Sequence, residues 1–129
     1  MSSKQTILVV DDDAPVREML AEQLEASYDV LVAKDGLDAV CIYERNAERV
    51  RAIVTDFDMP CLNGRLVAEW VHRIRPQLPV IIMSGGVRNT DRADLLHNSF
   101  VTFLAKPFDL TQLEALLESA LESRLNEAA

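Results

Sequence analysis

The sequence is poor in positive charge and almost without cysteine. Thirteen Lys and Arg stand against 21 Asp and Glu, a net charge of −8. Binding nucleic-acid phosphates needs clustered cations, so this balance argues against nucleic acid as a direct partner and suits a protein that binds cations. The two cysteines, Cys41 and Cys61, have neither CxxC spacing nor a histidine close by. That excludes a zinc site of the usual spacing and leaves free thiols, as expected in a reducing compartment. No apolar run is long enough for the core of a signal peptide with its flanks, or for a membrane span. The expectation is a cytoplasmic protein with no membrane insertion. Repeats, low-complexity tracts and linkers are also missing, and no helix-turn-helix or catalytic domain follows the final helical pattern.

What is present is ordinary globular composition, 49% hydrophobic and 26% charged over 129 residues. That length fits one domain, 1–129, with a core from about residue 6 to 121, a short N-terminal tail and a helix end fraying after about Ser123. Apolar, β-branched runs recur every twenty-odd residues: Ile7–Val10, Val30–Ala33, Ala52–Val54, Val80–Met83 and Phe100–Leu104. The first, third and fourth do not alternate with polar residues, which suits strands buried on both faces of a parallel sheet.

Helical patterns lie between the strands. Val16, Met19, Leu20 and Leu24 form one apolar stripe, with Asp13 as N-cap and Pro15 in the first turn. Leu37, Val40, Cys41 and Tyr43 form a second, opening at Asp35-Gly36. Leu66, Val67, Trp70, Val71 and Ile74 form a third, between Asn63-Gly64 and Pro76. Leu110, Leu113, Leu116, Leu117 and Leu121 form the last, with Asp109 and Gln112 at capping-box spacing. The polar stretch Val87–Asn98 predicts only a short or irregular helix. Five β-α units in succession predict an α/β fold, a doubly wound parallel sheet.

In such sheets, sites form beyond the carboxyl ends of the strands. The first strand ends in Asp11-Asp12, the third in Asp56 followed by Asp58, the fourth in Ser84-Gly85-Gly86 and the fifth in Lys106-Pro107. Crowded carboxylates raise one another's pKa unless a cation neutralises them. A hard divalent ion such as Mg²⁺ does so with one or two carboxylates, waters and a phosphate oxygen. A lysine and a hydroxyl suit the other oxygens of a phosphoryl group. The set fits phosphoryl chemistry on a carboxylate nucleophile.

The ordered motifs VVDD, VTDFDMP, IIMSGG and FLAKPF resemble those of the receiver domain of two-component response regulators. The resemblance runs from about Thr6 to Leu121, and four motifs in order, each at a strand end, are specific. It implies a flavodoxin-like (βα)5 fold with strand order 2-1-3-4-5. It implies that Asp56 accepts a phosphoryl group from the phosphohistidine of a histidine kinase or phosphotransfer protein. Asp12 matches the direct Mg²⁺ ligand, Asp11 the ligand that acts through water, and Asp58 the residue whose backbone carbonyl completes the site. Lys106 matches the lysine that pairs with phosphoryl oxygens, before a typically cis bond to Pro107. Ser84 matches the switch hydroxyl and Phe103 the switch aromatic. The protein so implied is a phosphoacceptor signalling domain that assists its own phosphorylation and dephosphorylation, rather than an enzyme acting on other substrates. Homodimerisation through the fourth helical segment, fifth strand and last helix is part of the same expectation.

Some residues depart from the family pattern. Phe103 lacks the hydroxyl of a tyrosine and also reads as plain core. The stretch LLHNSFVTFLAKPF is closer in flavour to receivers attached to hybrid sensor kinases. His72 and His97 read as surface residues, Trp70 as packing and Cys61 as an exposed loop thiol. Two other functions compete. One is a receiver-like interaction domain that takes no phosphoryl group. The other is a haloacid-dehalogenase-like phosphatase with Asp56 as nucleophile and Asp58 as acid. In that family the DxD motif precedes the second acidic pair, whereas here Asp11-Asp12 comes first.

Overall fold

Alternation along each strand sends successive side chains to opposite faces, so a strand covered on both sides must be apolar throughout. The computed structural model shows this arrangement; it describes residues 4–85 and 99–128, with side chains of the last helix to Glu122. Strands β1 (Thr6–Val10), β2 (Asp29–Ala33), β3 (Val50–Asp56), β4 (Val80–Ser84) and β5 (Val101–Ala105) form one parallel sheet in the order β2-β1-β3-β4-β5. The described helices are α1 (Ala14–Leu24), α2 (Gly36–Asn46), α3 (Gly64–Ile74) and α4 (Leu110–Ala128). The doubly wound α/β fold and strand order expected from the sequence are therefore present. The helix expected within Val87–Asn98, together with His97, lies outside the described residues.

Leu8, Val10, Ile53 and Ile82 pack with Tyr43, Val67 and Val71 of α2 and α3. Their neighbours Ile7, Val9, Val54 and Ile81 pack on the other side with Leu20, Leu24, Leu113 and Leu117 of α1 and α4. Each such side chain, fully removed from water, contributes about 1.5–3 kcal/mol.

The helix starts follow the capping residues. Asp13 Oδ1 accepts from the Val16 amide, Asp35 Oδ1 from Asp38 and Asn63 Oδ1 from Leu66. Asp109 and Gln112 exchange bonds of 2.9 and 3.0 Å, a complete capping box.

Three apolar stripes match the sequence expectation in part: Leu20 and Leu24 of α1, Tyr43 of α2, and Val67 and Val71 of α3 are buried, but other members face out. On α1, Met19 is 51% exposed. On α2, Leu37 is 54% exposed and Cys41 also faces out, while Gly36, Ala39 and Tyr43 are buried. On α3, Leu66 and Ile74 are exposed and Val67, Ala68 and Val71 buried. Where backbone must approach backbone, the small residues face inward, and a stripe drawn through the large ones is rotated from the true contact. A Cβ on Gly36 would collide with the Leu62 side chain and carbonyl. Trp70 does pack, edge-on to Tyr43 with ring centroids 6.1 Å apart. His72 differs from its surface reading: it is half-buried, and its Nε2 donates to the Leu78 carbonyl at 2.7 Å.

Candidate functional site

The sheet order places β1 between β2 and β3, so the chain leaves β1 to one side and reaches β3 on the other. Crevices form at such a reversal, outside the carboxyl ends of the strands. Asp11 and Asp12 follow β1 there, and Asp56 is the last residue of β3. One carboxylate oxygen from each of Asp11, Asp12 and Asp56 can be chosen so that all three lie within 4.8 Å of one another.

Backbone bonds fix these ends. The Asp11 amide donates to Ala33, the Phe57 amide to Met83 and the Lys106 amide to Ser84. The last of these sets Lys106 beside the end of β4, and its bond to Pro107 is cis. The Lys106 Nζ then reaches across to Asp56 Oδ1 at 2.8 Å. Ser84, 7% exposed, ends β4 two strands from β1.

The environments of the carboxylates differ sharply. Asp11 is 1% exposed and Asp56 7%, while Asp12 and Asp58 are exposed. Asp11 Oδ1 accepts from the Asp13 amide at 2.9 Å, but its buried Oδ2 has no hydrogen-bond partner among the described residues. Burial first, and the charges of Asp56 and Asp12, raise the Asp11 carboxyl above its ordinary value, against the Asp13 hydrogen bond and Lys106. Burial pulls the Lys106 ammonium down, yet the hydrogen bond and charge of Asp56, with Asp11 and Asp58, hold it above its ordinary value.

A buried carboxylate oxygen without a donor among the described residues, on a residue clustered with two more carboxylates, fits an oxygen-seeking divalent cation. Asp11, Asp12 and Asp56 are the residues that could hold Mg²⁺. The Lys106 ammonium lies on the Asp56 side of the cluster, where it can meet anionic oxygens at the same carboxylate.

All the residues singled out at strand ends, Asp11, Asp12, Asp56, Asp58, Ser84 and Lys106, lie along one edge of the sheet. Phe103 lies inside β5, half-buried, and packs against the core on the α2 and α3 side. Three residues that support the site were not visible as such in the sequence. Thr55, fully buried, donates its hydroxyl to the Asp56 carbonyl at 2.9 Å. Gly64 approaches that same carbonyl so closely that a Cβ would lie 2.6 Å from it. Arg17 donates to the Asp11 carbonyl at 2.8 Å. All three act on backbone oxygens, which leave no mark on residue patterning.

A groove of about 430 Å³ lined by Val16, Met83, Lys106, Pro107 and Phe108 adjoins the lysine. A cavity of about 290 Å³ lies elsewhere, toward the amino ends of β4 and β5 beside Pro79, Phe100 and Leu116, and none of the described residues lining it is titratable.

Residues 7–118 match the model of the response regulator receiver domain. The transcriptional regulatory protein PrrA of Mycobacterium leprae is 35% identical over 125 residues, 95% of this chain and 52% of that protein. A response regulator receiver domain protein from Clostridium thermocellum superposes with TM-score 0.84 at 26% identity, covering 93% of this chain and 96% of that one. The receiver domain of the hybrid histidine kinase CckA gives TM-score 0.76 at 32% identity, covering 90% and 98%. The chain spans about half the length of the curated relatives it matches.

Proposed function

The chain belongs to the response regulator receiver domain family of two-component systems, and from that premise we propose that Asp56 is its phosphoacceptor. The observation that carries this reading is the near-buried Asp56 carboxylate, bonded to Lys106 at 2.8 Å and clustered with Asp11 and Asp12. In the proposed step an Asp56 oxygen attacks the phosphorus of a phosphohistidine. The new O–P bond forms as the P–N bond breaks, and its electron pair returns to the imidazole nitrogen.

Lys106 stays charged at neutral pH and receives a phosphoryl oxygen while remaining near Asp56. Asp12 and Asp56 would hold Mg²⁺ directly, Asp11 would act through water, and the Asp58 carbonyl would complete the set. The ion, when bound, neutralises charge that collects on the phosphoryl oxygens. Ser84 presents a hydroxyl at the end of β4, and its bonding to the phosphoryl group draws Phe103 inward, biasing two conformations of the domain.

On this reading the protein is a signalling phosphoacceptor that assists its own phosphorylation and dephosphorylation, and 1–129 forms one receiver domain. Its direct partner is a histidine kinase or phosphotransfer protein, with the groove beside Lys106 next to the acceptor. The net charge of −8 favours protein over nucleic acid as that partner. None of the described helices is long and apolar enough to cross a membrane, and two exposed free thiols suit the cytoplasm. The face proposed for homodimers lies partly outside the described residues.

The test is intact mass after incubation with acetyl phosphate, with Mg²⁺ and then with EDTA, beside Asp56→Asn. One Mg²⁺-dependent phosphoryl adduct, absent from the variant, is expected. Folded protein with no adduct would favour a phosphate-independent interaction domain. Steady phosphate release from ordinary monoesters without an adduct would favour a phosphatase.

A further inference from the structure

We propose that Arg17 is a positioning residue for the metal-binding carboxylates, holding the β1–α1 loop in the shape that turns Asp11 and Asp12 toward Asp56. This deepens the phosphoacceptor reading and rests on it. Asp11 is where the chain leaves the sheet: its amide still bonds to Ala33 of β2, at 3.2 Å. Its carbonyl lies past the last strand pairing, and Arg17 Nη1 takes it at 2.8 Å.

The guanidinium closes a local circuit. Asp11 Oδ1 accepts from the Asp13 amide, Asp13 Oδ1 accepts from Val16, and the Arg17 amide donates to the Asp13 carbonyl at 2.9 Å. The first turn of α1 is thus bonded to the strand end through backbone and side chain together. Asp12 lies between Asp11 and Asp13 of this circuit and is exposed.

The same loop leaves Asp11 Oδ2 buried without a donor among the described residues. A loop free to relax would turn that oxygen to water, since an unpaired buried carboxylate oxygen is costly. The Arg17 bond opposes that relaxation. It is charge-assisted and planar, and so fixes direction as well as distance. Cation sites are commonly held ready in this way by groups that touch the ligands and not the ion.

The experiment compares the full chain with Arg17→Gln and Arg17→Lys. Mg²⁺ binding is titrated by calorimetry, adduct formation from acetyl phosphate is followed against Mg²⁺ concentration, and melting is recorded in EDTA. Arg17→Gln is expected to weaken Mg²⁺ binding on the order of tenfold, and Arg17→Lys to recover part of it. At saturating Mg²⁺ most of the adduct rate returns, because the ion then imposes the geometry. Unchanged Mg²⁺ affinity in Arg17→Gln overturns the proposal. So does a loss of affinity that appears only where melting in EDTA also collapses, which marks a structural role. Wild-type protein that binds Mg²⁺ but forms no adduct sinks the phosphoacceptor reading alone, and the calorimetric comparison still decides the role of Arg17.

Discussion

At the scale of single residues, the site is a set of charges in unequal surroundings. Asp11 shows this best, because it combines near-complete burial with an oxygen that lacks a partner among the described residues. Burial raises its carboxyl above the ordinary 3.8, so the folded protein holds that proton more tightly than the unfolded chain. Its stabilising contribution is therefore complete below the unfolded value and is lost as pH rises through the folded one. At neutral pH without metal, Asp11 is a destabilising charge. Asp11→Asn keeps an oxygen for the Asp13 amide and removes that charge. In EDTA the variant should melt above wild type at pH 7, and the gap should close as pH falls toward the unfolded value. A gap of opposite sign at pH 7, in thermal melts across this range, would show that the charge is not what burial penalises here. The acids themselves were legible in the sequence, because each ends an apolar run. Arg17 and Thr55 were not, because what they do is bond to carbonyls that any residue carries.

At the scale of elements, the loop between β3 and α3 is held from both ends. Gly64 donates its amide to the Phe57 carbonyl and lies against the Asp56 carbonyl. In Gly64→Ala the new methyl would meet that oxygen at 2.6 Å and Phe57 Cα at 3.1 Å. Both are backbone atoms that cannot swing aside. Overpacking of this kind costs about 1–3 kcal/mol, to be read in urea unfolding. Adduct yield should fall with it, since the displaced segment carries Asp58. Wild-type stability in this variant would mean that the loop gives way freely. Cys61 in the same loop offers the opposite case. Its φ of 72° lies in the left-handed region that a side chain disfavours. Cys61→Gly relieves the strain but frees the unfolded chain, and a net gain of about 0.5–1 kcal/mol is expected in the same unfolding series. Lower stability would place a hidden contact on the thiol. Element order, strand limits within a residue or two and the helix caps could be read from the chain, because periodicity and capping are local. The facing of α2 could not, and that of α3 only through Val67 and Val71. It depends on Gly36, Ala39 and Ala68, whose burial follows from what packs against them rather than from their own hydrophobicity.

At the scale of the whole molecule, a net charge of −8 repels itself, and three carboxylates of that total meet at one sheet edge. Any salt will weaken the general repulsion by screening. A cation bound between Asp11, Asp12 and Asp56 adds something different, because it binds the folded chain and not the unfolded one. Mg²⁺ at 100 times its dissociation constant stabilises the fold by about 2.7 kcal/mol, which for a domain of this length is a rise in melting temperature of roughly 10 °C. Screening and binding separate if the ionic strength is matched with NaCl. The screened part should appear with either salt, in wild type and in Asp12→Asn alike, since one charge in eight matters little at long range. The part in excess of NaCl should appear in wild type alone, because Asp12 is the exposed member of the cluster and, with Asp56, one of the two side chains proposed to touch the ion. Equal melting shifts with MgCl₂ and matched NaCl in wild type would mean that the three carboxylates form no site and share only the charge of the surface around them. An excess that survives in Asp12→Asn would move the site onto Asp11 and Asp56, the two buried carboxylates that remain.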